Sequence, residues 1–141
     1  MSGGALVVGH DGTEGARAAL DEAMRLAKDM GGADIHLVFS FAAPRIGGEL
    51  HDLDEAIAER GQRMLEHGVH HARSAGVSVQ THCRRDDSAE GLVAVAEEVD
   101  ARYIIVGSYG ERPLKSVLVG ATPTRLLHLS ERPVLVVRTP D

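Results

Sequence analysis

The sequence has a single cysteine, Cys83, so the chain cannot close a disulfide on itself. It has no basic run: lysine and arginine number 15 against 21 aspartates and glutamates, a formal charge of −6, which gives a nucleic-acid partner little electrostatic support. Its longest apolar runs are strand-sized, and Met1 to Gly4 carries no basic leader region, so neither a signal peptide nor a membrane span is expected, and the lone thiol suits a reducing, cytoplasmic setting. The lysine-bearing phosphate loop Gly-x4-Gly-Lys is missing, as is Gly-x-Gly-x2-Gly, so neither a P-loop ATPase nor a dinucleotide enzyme is favoured.

What is there is an ordinary globular mixture, 43% hydrophobic and 26% charged over 141 residues, which predicts one domain spanning residues 1–141. Leu6-Val7-Val8 reads as a buried strand. Ala16, Ala19, Leu20, Ala23, Ala27 and Met30 then recur at helical spacing, with Thr13 as a cap and Gly31-Gly32 as a stop. Ile35 to Phe41 is a second strand, and residues 43–52 a loop holding Pro44 and Gly47-Gly48. Leu53 to Ala75 is a long helix whose inward stripe runs Leu53, Ala56, Ile57, Met64, Leu65, Ala72 and Ala75. Val77, Val79, Thr81 and Cys83 alternate with polar residues, as in a half-exposed strand near an edge. Ser88 caps a third helix with Ala89, Leu92, Val93, Ala96 and Val99 inward, Tyr103 to Val106 is a fourth strand, Pro123 to Ser130 a short helix capped by Thr122, and Val134 to Val137 a fifth strand. Strand and helix alternate throughout, which predicts an α/β fold: parallel strands joined by right-handed crossovers, with helices on both faces.

In such a sheet a ligand sits beyond the carboxyl ends of the strands, where strand order reverses. That rule selects Gly9 to Gly12, Ser40 to Ala42, and the residues from Gly107 onward. Gly107-Ser108-Tyr109-Gly110 is followed nine residues later by Gly120-Ala121-Thr122. Bare glycines let backbone approach a ligand, and Gly120 opens a helix whose free N–H groups favour an anion; the same glycines also serve as plain turns. Asp11 either accepts hydrogen bonds from a ribose or a base amine, or closes an Asx turn. His67 and His71 stand at i, i+4 beside His70, but with no carboxylate or thiolate partner in view they read as a solvated helix face, and no protein metal site is expected. Arg112 and Lys115 either meet phosphates or are solvated, and Cys83 reads as a small packed residue.

The spacing Gly-x2-Gly-x9-Gly resembles the nucleotide loop of the universal stress protein family. Val7-Val8-Gly9-His10-Asp11-Gly12-Thr13 resembles that family's first strand and turn, Ile104 to Ser108 its fourth strand, and Arg132 to Val137 its last. The resemblance implies a three-layer, Rossmann-like fold of the adenine nucleotide alpha hydrolase kind, with five parallel strands in the order 3-2-1-4-5. It also implies a homodimer paired through Val134–Val137. The implied ligand is ATP or another adenine nucleotide, with Mg²⁺ where the phosphates need it, held in a regulatory, stress-sensing role rather than turned over. A nucleotide-free dimeric interaction module and a slow ATP hydrolase are the alternatives. Carried over by position, the implied nucleotide set is Gly9, His10, Asp11, Ser40, Val106, Gly107, Ser108, Gly110, Gly120, Ala121 and Thr122. Within it Asp11 meets the adenosine end, backbone near Ser40 borders adenine, Val106 and Gly107 flank ribose and phosphates, and Gly110, Gly120, Ala121 and Thr122 wrap the phosphates. The chain departs from the family pattern at Ala121, where a hydroxyl residue follows the third glycine, with Thr122 displaced by one. Pro123 has no N–H to offer. Ser40 stands where an apolar residue is usual, and Asp86-Asp87-Ser88 where Gly-Asp-Pro is common.

Overall fold

The computed structural model describes residues 4–42, 50–108 and 121–139. Its elements run β1 (Ala5–Gly9), α1 (Glu14–Asp29), β2 (Asp34–Ser40), α2 (Leu50–Ser74), β3 (Val79–Arg84), α3 (Ser88–Glu98), β4 (Tyr103–Gly107), α4 (Ala121–Leu129) and β5 (Val134–Val137). The strands form one five-stranded sheet in the order β3-β2-β1-β4-β5, every neighbouring pair parallel. The expected α/β architecture and strand order are both present.

The central strands are apolar at consecutive positions because both of their faces are covered. Leu6, Val8, Ile35, Leu37 and Ile105 pack with Leu20, Ala23 and Leu65 under α1 and α2. The alternate residues Val7, Val38, Ile104 and Val106 pack with Leu92, Val95 and Leu126 under α3 and α4. β3 and β5 are the edges, and the alternation read for β3 matches its place there.

Helix α1 starts where Thr13 was expected to cap it: the Thr13 side chain accepts from the Ala16 N–H at 3.2 Å. Helix α2 lies close on the sheet through two notches one heptad apart. A Cβ on Gly61 would stand 2.2 Å from Phe39 Cδ2, and one on Gly68 2.5 Å from Leu37 Cδ2. Side chains from β2 fill the space those glycines leave.

Several expected boundaries shift. α2 begins at Leu50 rather than Leu53, and Ala56 is exposed rather than inward, while Leu65 and Ala72 are buried as read. In α3 the fully buried valine is Val95, three residues after Leu92 on the same helical stripe, while Val93 is only half-buried. Asp87, not Ser88, occupies the cap of α3, and its side chain makes no capping hydrogen bond. α4 begins at Ala121, two residues earlier than expected, so Thr122 lies within the first turn instead of capping it. Pro123 is tolerated there because first-turn N–H groups have no partner inside the helix.

Candidate functional site

Strand order reverses between β1 and β4, which are hydrogen-bonded neighbours with Val8 opposite Ile105. Their carboxyl ends deliver Gly9-His10-Asp11 and Gly107-Ser108 side by side. Gly107 is bare for a reason the sequence did not reveal: a Cβ there would lie 2.7 Å from both the carbonyl carbon and the oxygen of Gly15. The first turn of α1 is therefore pressed onto the end of β4, and the small residue serves that contact. The missing Cβ of Gly9 similarly admits Val106 and Leu92.

Asp11 is exposed, and its Oδ1 accepts from the Thr13 N–H at 3.0 Å and from the Thr13 hydroxyl. Of the two readings open for Asp11, the turn-closing one is present, and the carboxylate stays exposed. His10 is only 9% exposed. Its backbone N–H donates to the Val38 carbonyl at 2.8 Å, and its ring tucks under α2 beside Gly68. Burial holds the imidazole below the ordinary histidine value; the Asp11 carboxylate and a hydrogen bond donated to the Met64 carbonyl oppose that shift, and Arg17 adds to it. His10 Nδ1 is buried without a partner among the described residues.

Ser108 is 1% exposed, and its Oγ is likewise without a partner among the described residues; its N–H donates to the Val137 carbonyl at 2.9 Å. Val106 is buried under α3 and α4. Ser40 does not point a hydroxyl at the cleft: Oγ donates to the carbonyls of Asp86 at 2.8 Å and Asp87 at 3.2 Å. It sits in a notch on α3, where a Cβ on Gly91 would come within 2.0 Å of it. Ala121 opens α4 and is exposed, while the Thr122 hydroxyl donates to Ser88 Oγ at 3.2 Å. Gly110 and Gly120, with Arg112 and Lys115, lie outside the described residues.

No group of three or more histidine, cysteine or acidic side chains is placed to hold a metal among the described residues. His67 and His70 are exposed, and His71 Nε2 pairs with Asp21 Oδ1 at 2.7 Å, joining α2 to α1. Burial raises the Cys83 thiol, with Arg85 opposing, so the thiol is the stable form, as in a packed residue. No described helix is long and apolar enough to cross a membrane.

One cluster was missed by the sequence reading. His36 Nδ1 lies 3.0 Å from His82 Nε2 across β2 and β3. The register puts Val38 opposite His82, two residues beyond His36 on the same face. The two histidines lie 46 residues apart, and only the pairing of β2 with β3 brings them together.

The family model described as the universal stress protein family matches residues 4–138. Universal stress protein MJ0531 of Methanocaldococcus jannaschii is 27% identical over 96% of this chain and 82% of its own length. Among solved structures, hypothetical protein MJ0577 superposes with a TM-score of 0.88 at 22% identity, covering 100% of this chain and 99% of the other. A universal stress protein in complex with cAMP gives 0.76 at 22% identity, over 99% and 100% of the two chains. The Archaeoglobus fulgidus protein in complex with dAMP gives 0.70 at 23% identity, over 97% and 99%. With its sheet order, its β1 turn and its β4 end all of one kind, and a family match running nearly end to end, this chain belongs to the universal stress protein family.

Proposed function

We propose that this protein binds ATP or a related adenine nucleotide in the cleft between β1 and β4 and acts as a regulatory, stress-linked sensor in the cytoplasm. The observation that carries the reading is the convergence of the Gly9-His10-Asp11 turn with Gly107-Ser108 at the point where strand order reverses. The cAMP and dAMP complexes of the structural relatives support it: those two ligands share an adenine base and a single phosphate.

In this reading the rim carboxylate of Asp11 meets the adenosine end. Backbone at Gly9, His10, Ser40, Val106, Gly107 and Ser108 lines the cleft. Ala121 and Thr122, with Gly110 and Gly120, attend the phosphates, where Mg²⁺ adds countercharge. Ser40 and Val106 contribute main chain only, because their side chains are committed elsewhere. The role is binding rather than turnover. The Asp11 carboxylate is engaged by Thr13 and the His10 ring is enclosed beneath α2, which leaves neither poised as the base that hydrolysis needs.

Isothermal titration of the purified chain with ATP, with and without Mg²⁺, tests the reading. Saturable binding at about one nucleotide per chain is expected, and none up to about millimolar ATP, a binding free energy of about −4 kcal/mol, would contradict it.

A second reading, a nucleotide-free dimeric interaction module, is favoured by one observation. β5 is an edge strand with Leu135 37% exposed, and Leu127 on the adjoining α4 is 68% exposed. A homodimer through Val134–Val137 is common to both readings, and a nucleotide that survives purification would count against the second.

A further inference from the structure

The first turn of α4, where the phosphates would lie, is not free-standing. The Thr122 hydroxyl donates to Ser88 Oγ at 3.2 Å. One turn on, Arg125 directs both Nε and Nη2 at Glu90 Oε1, and this contact holds the Glu90 carboxyl below its usual range. Ser88 and Glu90 both belong to the first turn of α3. That turn is itself fixed to the end of β2 by the Ser40 hydroxyl on the Asp86 and Asp87 carbonyls, seated against Gly91. A continuous line of contacts thus runs from β2 through the start of α3 to the start of α4.

We propose that Ser88 and Glu90 are positioning residues: they hold the first turn of α4 in register with the cleft, so that α3 helps set how tightly the phosphates are bound. The inference rests on the adenine-nucleotide reading above. Its chemical basis is the free N–H groups and positive dipole end of α4, which reward an anion only when aimed at it. The Thr122 proton is spent on Ser88, so the hydroxyl acts as a tether and the backbone N–H groups do the binding. The two departures from the family pattern noted in the sequence meet here: the hydroxyl displaced to Thr122 finds its acceptor on Ser88, which stands where a proline, with no hydroxyl, is common.

Parallel titrations of the full chain with ATP and with adenosine test this. For Ser88→Ala, ATP affinity is expected to fall about two- to tenfold, the worth of one lost hydrogen bond, while adenosine affinity holds. Ser88→Thr should restore ATP affinity, and Glu90→Gln should lower it in the same selective way. Ser88 is exposed, so its variants are expected to fold, and the adenosine titration reports whether the cleft is intact. Equal losses for both ligands, or unchanged ATP affinity in both Ser88→Ala and Glu90→Gln, would overturn the proposal. So would a parent chain that binds ATP no better than adenosine. A parent chain that binds neither contradicts the nucleotide reading itself, which separates the two failures.

Discussion

His36 Nδ1 and His82 Nε2 lie 3.0 Å apart, with ring centroids 5.2 Å apart, and so tie β2 to the edge strand β3. The centroid distance exceeds the nitrogen separation by about two ring radii, so the contact runs nearly along the line of centres. That is the geometry of an N–H···N hydrogen bond, in which one neutral ring donates and the other accepts.

This pair gives the fold a pH dependence. Burial lowers both imidazoles below the ordinary 6.5; His82 lowers His36 further while Asp34 opposes, and at His82 Arg84 lowers while Glu98 opposes. His10 is shifted the same way, chiefly by its burial. Because the folded values lie under the unfolded ones, the unfolded chain takes up more protons below 6.5. Stability is then complete above that value and is lost as pH falls toward the folded values. Urea midpoints measured from about pH 7.5 down to about pH 5.5 should decline, and a His82→Gln variant should decline less steeply.

The notches on α2 predict intolerance to one added methyl. Gly61→Ala would drive a Cβ to 2.2 Å from Phe39, and Gly68→Ala to 2.5 Å from Leu37. Each should cost about 1–3 kcal/mol in chemical denaturation. Gly76→Ala meets nothing within 4 Å but adopts φ +78°, so any loss there reflects the backbone rather than crowding.

The edge at β5 predicts an assembly that one charge would break. Leu135→Glu, on a side chain 37% exposed, should change the stability of the isolated chain by less than about 1 kcal/mol while converting a dimer to a monomer in sedimentation. Parent and variant chains that sediment alike as monomers would remove β5 as a dimer surface.

Much of this was legible because local signals agreed. Short apolar runs alternating with stretches of helical spacing gave the order of elements, and Thr13 and Gly31-Gly32 bounded α1 as read. Alternation at β3 gave an edge. What could not be read depended on neighbours distant in sequence. Gly107 is bare because Gly15 presses on it, and Ser40 is a tether because Gly91 leaves it room. The carboxyl-end rule selected the loops that follow β1, β2 and β4, yet it could not tell which side chains were already committed within the fold. Asp11 to Thr13, Ser40 to Asp86 and Thr122 to Ser88 are such commitments.

The location of the nucleotide is the point on which the rest depends, and amide NMR of the labelled chain during an ATP titration addresses it most directly. Saturable shifts should concentrate at residues 9–12, 107–108 and 121–122, the ends of β1 and β4 and the start of α4. No saturable change up to about millimolar ATP, or changes confined to β5, would contradict an adenine-nucleotide cleft at the point where strand order reverses.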